Sequence, residues 1–86
     1  MRNILHQMSE KQIPEHQFKR VEEISSFIRN WRINDGLSQS EFAKITETHT
    51  NTISNIEKGK NITILTLFAC VDAMGLTISQ FFEDIE

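Results

Sequence analysis

The sequence predicts an all-α fold of five helices, on three observations. Helix breakers are few: three glycines, at 36, 59 and 75, and one proline, at 14. No segment alternates apolar and polar residues with the period of two that a half-buried strand requires. Each glycine follows an apolar run with helical spacing, the place where a helix commonly ends on a left-handed residue. At 86 residues, 38% of them apolar and 24% charged, the chain is long enough for one small core. That core leaves no room for a cofactor domain beside a substrate domain, which excludes multidomain catalysis.

The elements follow in order. Val21, Ile24, Ile28 and Trp31 recur at steps of three, four and three, so they form one stripe of a first helix that stops before Gly36. Ser38 and Glu41 have the spacing of a capping box, and Leu37 and Phe42 that of a hydrophobic staple. A second helix therefore starts at Gln39 and runs to about Thr46. From Thr48 to Lys58 the only apolar residues are Ile53 and Ile56, while Thr50, Asn51, Thr52, Ser54 and Asn55 cover the rest of a third helix. Asn and Thr are mediocre helix formers, so local propensity does not account for their density there. Thr63 opens the run Ile64, Leu65, Leu67, Phe68, Val71 and Met74, too wide for one stripe, which predicts that the fourth helix is the most buried. Thr77 and Gln80 repeat the capping-box spacing, and a short fifth helix should carry Phe81 and Phe82 into the core.

Residues 1–17 read as an N-terminal arm and residues 18–86 as the folded domain. Ile4, Leu5 and Met8 would share a helical face, but Pro14 interrupts it. A disordered tail and a segment that contacts a dimer partner or DNA both stand open for this arm.

Charge is unevenly distributed. Residues 1–21 carry +2, residues 22–61 carry −1 and residues 62–86 carry −4, for the total of −3. Net acidity argues against strong nonspecific binding to a polyanion, although the basic groups are confined to the first two thirds. The single cysteine, Cys70, closes no internal disulfide, and its place in the apolar run suits a small buried hydrophobe. His6, His16 and His49 have no Cys or carboxylate at ligand spacing, so no metal and no cofactor is expected. The longest apolar stretch, Ile62 to Val71, falls short of the roughly 18 residues of a membrane span. Residues 1–7 lack an apolar leader core, so the expected location is cytoplasmic. A glycine-rich phosphate loop and a nucleophile elbow are both missing, and the chain is not expected to be an enzyme.

The blocks Leu37-Ser38-Gln39-Ser40-Glu41-Phe42-Ala43 and Thr52-Ile53-Ser54-Asn55-Ile56-Glu57-Lys58-Gly59 resemble the phage repressor and Cro-like (XRE) helix-turn-helix family. The likeness covers about residues 21 to 83. It implies a five-helix lambda-repressor-like bundle in which helix two crosses the DNA backbone and helix three enters the major groove. By resemblance, Gln39 occupies the position that contacts phosphate and buttresses the recognition helix. Base edges would be read by Thr50, Asn51, Ser54 and Asn55. Asn suits this, since its amide matches the donor and acceptor of adenine, and a Thr methyl can pack on that of thymine.

Further residues carry over in the same way. Lys58, Lys60 and Asn61 look like phosphate contacts, a reading that stands beside that of a solvated, basic helix end. His49 lies at the approximate cap of helix three, with Thr48 and Thr50 as alternative caps, where its ring can contact phosphate or a base. Arg32 and Glu57 match positions that form a structural ion pair. Arg29, one turn before Arg32, faces either solvent or phosphate. The chain departs from the family at Thr46, Glu47 and Thr48, where a Leu, a Gly and an apolar residue are usual. If Glu47 takes the glycine's conformation, it bears left-handed strain of roughly 1 kcal/mol or more.

The family likeness implies a sequence-specific regulator of transcription, a repressor by expectation, that binds double-stranded DNA as a homodimer. The alternative from another class is a protein-interaction module, such as the antitoxin that covers a toxin.

Overall fold

The computed structural model describes residues 15–60 and 62–85. It consists of five helices: α1 (Glu15–Asn34), α2 (Gln39–Ile45), α3 (Thr50–Glu57), α4 (Ile64–Ala73) and α5 (Ile78–Ile85). There is no strand among the described residues. Residues 15–17 of the expected arm form the first turn of α1, and the remainder of that arm lies outside the described residues.

One core draws on every helix. Ile28 of α1, Phe42 and Ala43 of α2, Ile53 and Ile56 of α3, Leu67, Cys70 and Val71 of α4, and Phe81 of α5 are buried together with Met74. Ile24 and Trp31 pack against this cluster from the expected stripe of α1. Aromatic rings close its edges. The Trp31 ring lies 5.8 Å from that of Phe42, and Phe27 meets Phe81 edge to face at 5.1 Å, the arrangement that ring quadrupoles favour.

Helix starts follow local side-chain chemistry. The Ser38 hydroxyl accepts from the Glu41 N–H at 3.0 Å while the Glu41 carboxylate accepts from the Ser38 N–H at 2.8 Å, so the predicted box is complete. The Ser38 backbone N–H, and then its hydroxyl, hold the Glu41 carboxyl below its ordinary range. The Thr77 hydroxyl and Gln80 side chain exchange the same bonds ahead of α5. A further box, Thr63 with Thr66, caps α4; its spacing was visible in the sequence.

Helix ends share one device. After α1, α3 and α4 a glycine takes positive φ at 36, 59 and 75, and the flanking N–H groups close on the last turn as in a Schellman motif. After α2 the same pair of bonds forms, Thr48 N–H to Ala43 O at 2.9 Å and Glu47 N–H to Lys44 O at 3.2 Å, with Glu47 at φ 56. Here the chain spends a left-handed conformation on a residue with a Cβ.

Two expectations need correction. The fourth helix is buried on one side only: Ile64, Leu65 and Phe68 are 64%, 76% and 41% exposed, because α4 packs against the bundle mainly through Leu67, Cys70 and Val71, with Ala73 beside them. Phe82 does not join the core. It lies edge to face on Phe81 and stays 41% exposed, since one face of so short a helix admits only one of two adjacent rings. The start of α3 needs none: the helix begins at Thr50 with His49 at its N-cap, the cap site that was expected.

Candidate nucleic-acid interface

The helix α3 is held from below and polar above. Ile53 and Ile56 are fully or almost fully buried, whereas Thr50 and Asn51 are exposed and Ser54 and Asn55 half-buried. At about 100° per residue these four side chains occupy the side of the helix away from Ile53 and Ile56. Asn51 lies near the middle of that side, with Thr50 and Ser54 on its flank toward Glu57.

Glu57 fixes the helix in place. Its Oε2 accepts from Arg32 Nε at 2.6 Å, and its Oε1 accepts from Arg32 Nη2 at 3.1 Å and from Gln39 Nε2 at 3.0 Å. Arg32 Nη1 donates to the Leu37 carbonyl at 2.7 Å. One carboxylate therefore ties α3 to α1 and to the first residue of α2, with side-chain exposures of only 11% for Arg32 and 4% for Glu57. A bidentate guanidinium pair has defined geometry, and a pair this sheltered specifies orientation more than it adds net stability. The buttressing role that resemblance gave Gln39 thus has a physical basis in its bond to Glu57.

The turn between α2 and α3 replaces an apolar contact by hydroxyls. Thr46 is buried; its Oγ1 donates to the Phe42 or Ala43 carbonyl, at 2.9 and 3.2 Å, and lies 2.8 Å from Thr48 Oγ1. This pairing satisfies a polar group that burial would otherwise penalise. Thr48 is committed to it, and no side chain caps α3: His49 is exposed and makes no capping bond, which leaves its ring on the surface beside Thr50.

Lys58 and Lys60 are exposed where the chain leaves α3, and the Lys60 N–H closes on the Asn55 carbonyl at 2.7 Å. Gly59 between them has φ 77, and a Cβ there would stand 3.3 Å from Val21 Cγ1 and 3.5 Å from Ser25 Oγ. The exit from α3 is thereby pressed against α1. Asn61 lies outside the described residues. Beneath the site, burial, together with the nearby charge of Glu57, pushes the Cys70 thiol up to about 11, so it carries no thiolate near neutral pH.

The structure therefore brings Gln39, Arg32, Glu57, Ser54 and Lys58 around one cleft and leaves Thr50 and Asn51 projecting beside it. Arg29, for which the sequence left solvent and phosphate both open, lines the same cleft. Among the described residues no single helix is long and apolar enough to cross a membrane.

A helix-turn-helix family model matches residues 28–81, which include both motif blocks and the whole of the Glu57 network. Two solved structures are similar, both of single-residue variants of the Restriction-Modification Controller Protein C.Esp1396I, each 26% identical with a TM-score of 0.68. Each likeness covers 76% of this chain, and 86% or 84% of the other. No curated protein matches the chain. With a capped α2, a tight turn and a braced polar α3 inside the matched span, the chain belongs to the XRE helix-turn-helix family of DNA-binding transcription regulators.

Proposed function

We propose that this chain is a repressor that reads its operator with α3 and acts by occupying a promoter, with no catalytic step. One observation carries the reading: the polar side of α3 is turned outward and immobilised from behind by Arg32, Gln39 and Glu57. Base recognition needs side chains that are both accessible and rigidly placed, since a bidentate contact tolerates little misalignment. Thr50, Asn51, Ser54 and Asn55 take the base-reading role. Gln39, His49, Lys58, Lys60 and Asn61 take the backbone, which fixes register without reading sequence. The likeness to a controller protein agrees with a regulator of this kind.

The chain acts as a symmetric homodimer on two half-sites roughly 34 to 36 Å apart. Support comes from α4, whose exposed Ile64, Leu65 and Phe68 form an apolar patch, with Asp72 one turn beyond Phe68 on the same side, that a second copy would cover. Nothing among the described residues favours a toxin as the occupant.

The test is selection of bound duplexes from a random pool, followed by fluorescence anisotropy on the winner and a scrambled duplex. The expected result is a two-fold symmetric consensus bound at least about a thousandfold more tightly than the scrambled duplex at the same salt. Failure to enrich any sequence, with equal affinity for both duplexes, would exclude base reading by α3.

A further inference from the structure

The cleft between α1, α2 and α3 has a volume of about 230 Å³ and is lined by Arg29, Arg32, Gln39, Ser54, Glu57 and Lys58. Its electrostatics are decided by which of these groups are already engaged. Arg32 spends Nε and Nη2 on Glu57 and Nη1 on the Leu37 carbonyl, and both oxygens of Glu57 are taken. The pair is thus closed on itself, and its charges cancel. Arg29 and Lys58 remain; both are exposed, and neither has an ion-pair partner among the described residues. The other two lining groups are the Gln39 amide, whose Nε2 is oriented by Glu57 and keeps a second hydrogen, and the half-exposed Ser54 hydroxyl. The cleft therefore offers donors from three helices and two uncompensated positive charges, with its single carboxylate neutralised.

We propose that Arg29 binds a DNA backbone phosphate in this cleft, opposite Lys58, and that Gln39 donates to the same group. The assignment rests on the DNA-binding reading above and adds a residue from α1 to the interface. Arg29 stands one turn before Arg32 on the same side of α1, so its guanidinium reaches the cleft from the wall that faces α3. A guanidinium presents a planar fork to phosphate, whereas the ammonium of Lys58 acts as a point charge. Together they clamp the strand from the two sides of the cleft. A phosphate held there would lie against Ser54, at the edge of the base-reading side of α3, and would set how far Asn51 is inserted.

The test is equilibrium binding to the selected duplex and to a scrambled one over a salt series, with wild type, Arg29→Ala, Arg29→Lys and Lys19→Ala. Lys19, ten residues earlier on α1 and outside this cleft, controls for simple loss of charge. Arg29→Ala is expected to flatten the slope of log affinity against log salt by about 0.9, the loss of one phosphate contact, on both duplexes alike. The deficit relative to wild type then narrows about three- to fourfold between roughly 50 and 200 mM salt. Arg29→Lys keeps the slope with reduced affinity, and Lys19→Ala leaves it unchanged. Wild-type slope in Arg29→Ala, or equal flattening by Lys19→Ala, overturns the assignment. Duplex binding by wild type that does not depend on salt would instead overturn the DNA-binding reading itself. Arg29 is exposed, so circular dichroism is expected to show an unchanged fold in every variant.

Discussion

Asn51 and Lys58 both point away from the core of α3, yet their chemistry predicts different losses. An amide paired with one base edge discriminates, so Asn51→Ala should cost about 1 to 3 kcal/mol on the operator and relax preference at one base pair. An ammonium on the backbone does not discriminate, and Lys58→Ala should weaken operator and scrambled duplex by the same factor. Anisotropy titrations of both variants against single-base operator substitutions read the difference; equal, sequence-blind losses would remove Asn51 from the base-reading set. At this scale the sequence was legible where partners lie within one turn. Ser38 with Glu41 and Thr77 with Gln80 bond as their spacing demanded. The Gln39–Glu57 bond joins residues eighteen apart, and no local pattern encodes it. The Arg32–Glu57 pair was reached through the family likeness, not through spacing.

Among the elements, the turn after α2 carries the clearest cost. Glu47 holds at φ 56 a place that glycine fills after α1, α3 and α4. Its strain is retained because the two Schellman bonds and the Thr46–Thr48 hydroxyl pair fix the turn around it. Glu47→Gly should therefore raise stability by about 0.5 to 1 kcal/mol, the relief of the Cβ clash exceeding the added freedom of the unfolded chain. Thermal unfolding should show a midpoint higher by about 2 to 8 °C for a domain of this size. A lower midpoint would mean that the Glu47 side chain contributes something its backbone geometry does not reveal. Helix boundaries were legible through caps and glycines. The burial of α4 was not, because an apolar run reports hydrophobicity on every side, and only the packed bundle shows which sides have neighbours.

For the whole molecule, the proposed dimer rests on the exposed side of α4. Apolar side chains that stay in water in the monomer gain roughly 25 cal/mol per Å² when a second copy covers them. Leu65 is 76% exposed and makes little contribution to the core, so Leu65→Asp should leave the fold intact while placing two like charges across a symmetric contact. Sedimentation equilibrium should show a dimer for wild type and a monomer for the variant, with operator affinity falling to that of a single half-site. An unchanged mass would move the dimer contact away from α4. The bundle architecture was legible in advance, since five periodic runs and their breakers leave few ways to build one core. The orientation of α3 was not, being set by Glu57 and by the pressure of Gly59 on α1.

Trp31, the only indole of the chain, rests against Phe42 at the junction of the first two helices. Its emission is consequently an intrinsic optical gauge of that junction. Any loosening of the second helix as a duplex is gripped would change the spectrum without a dye or a mutation.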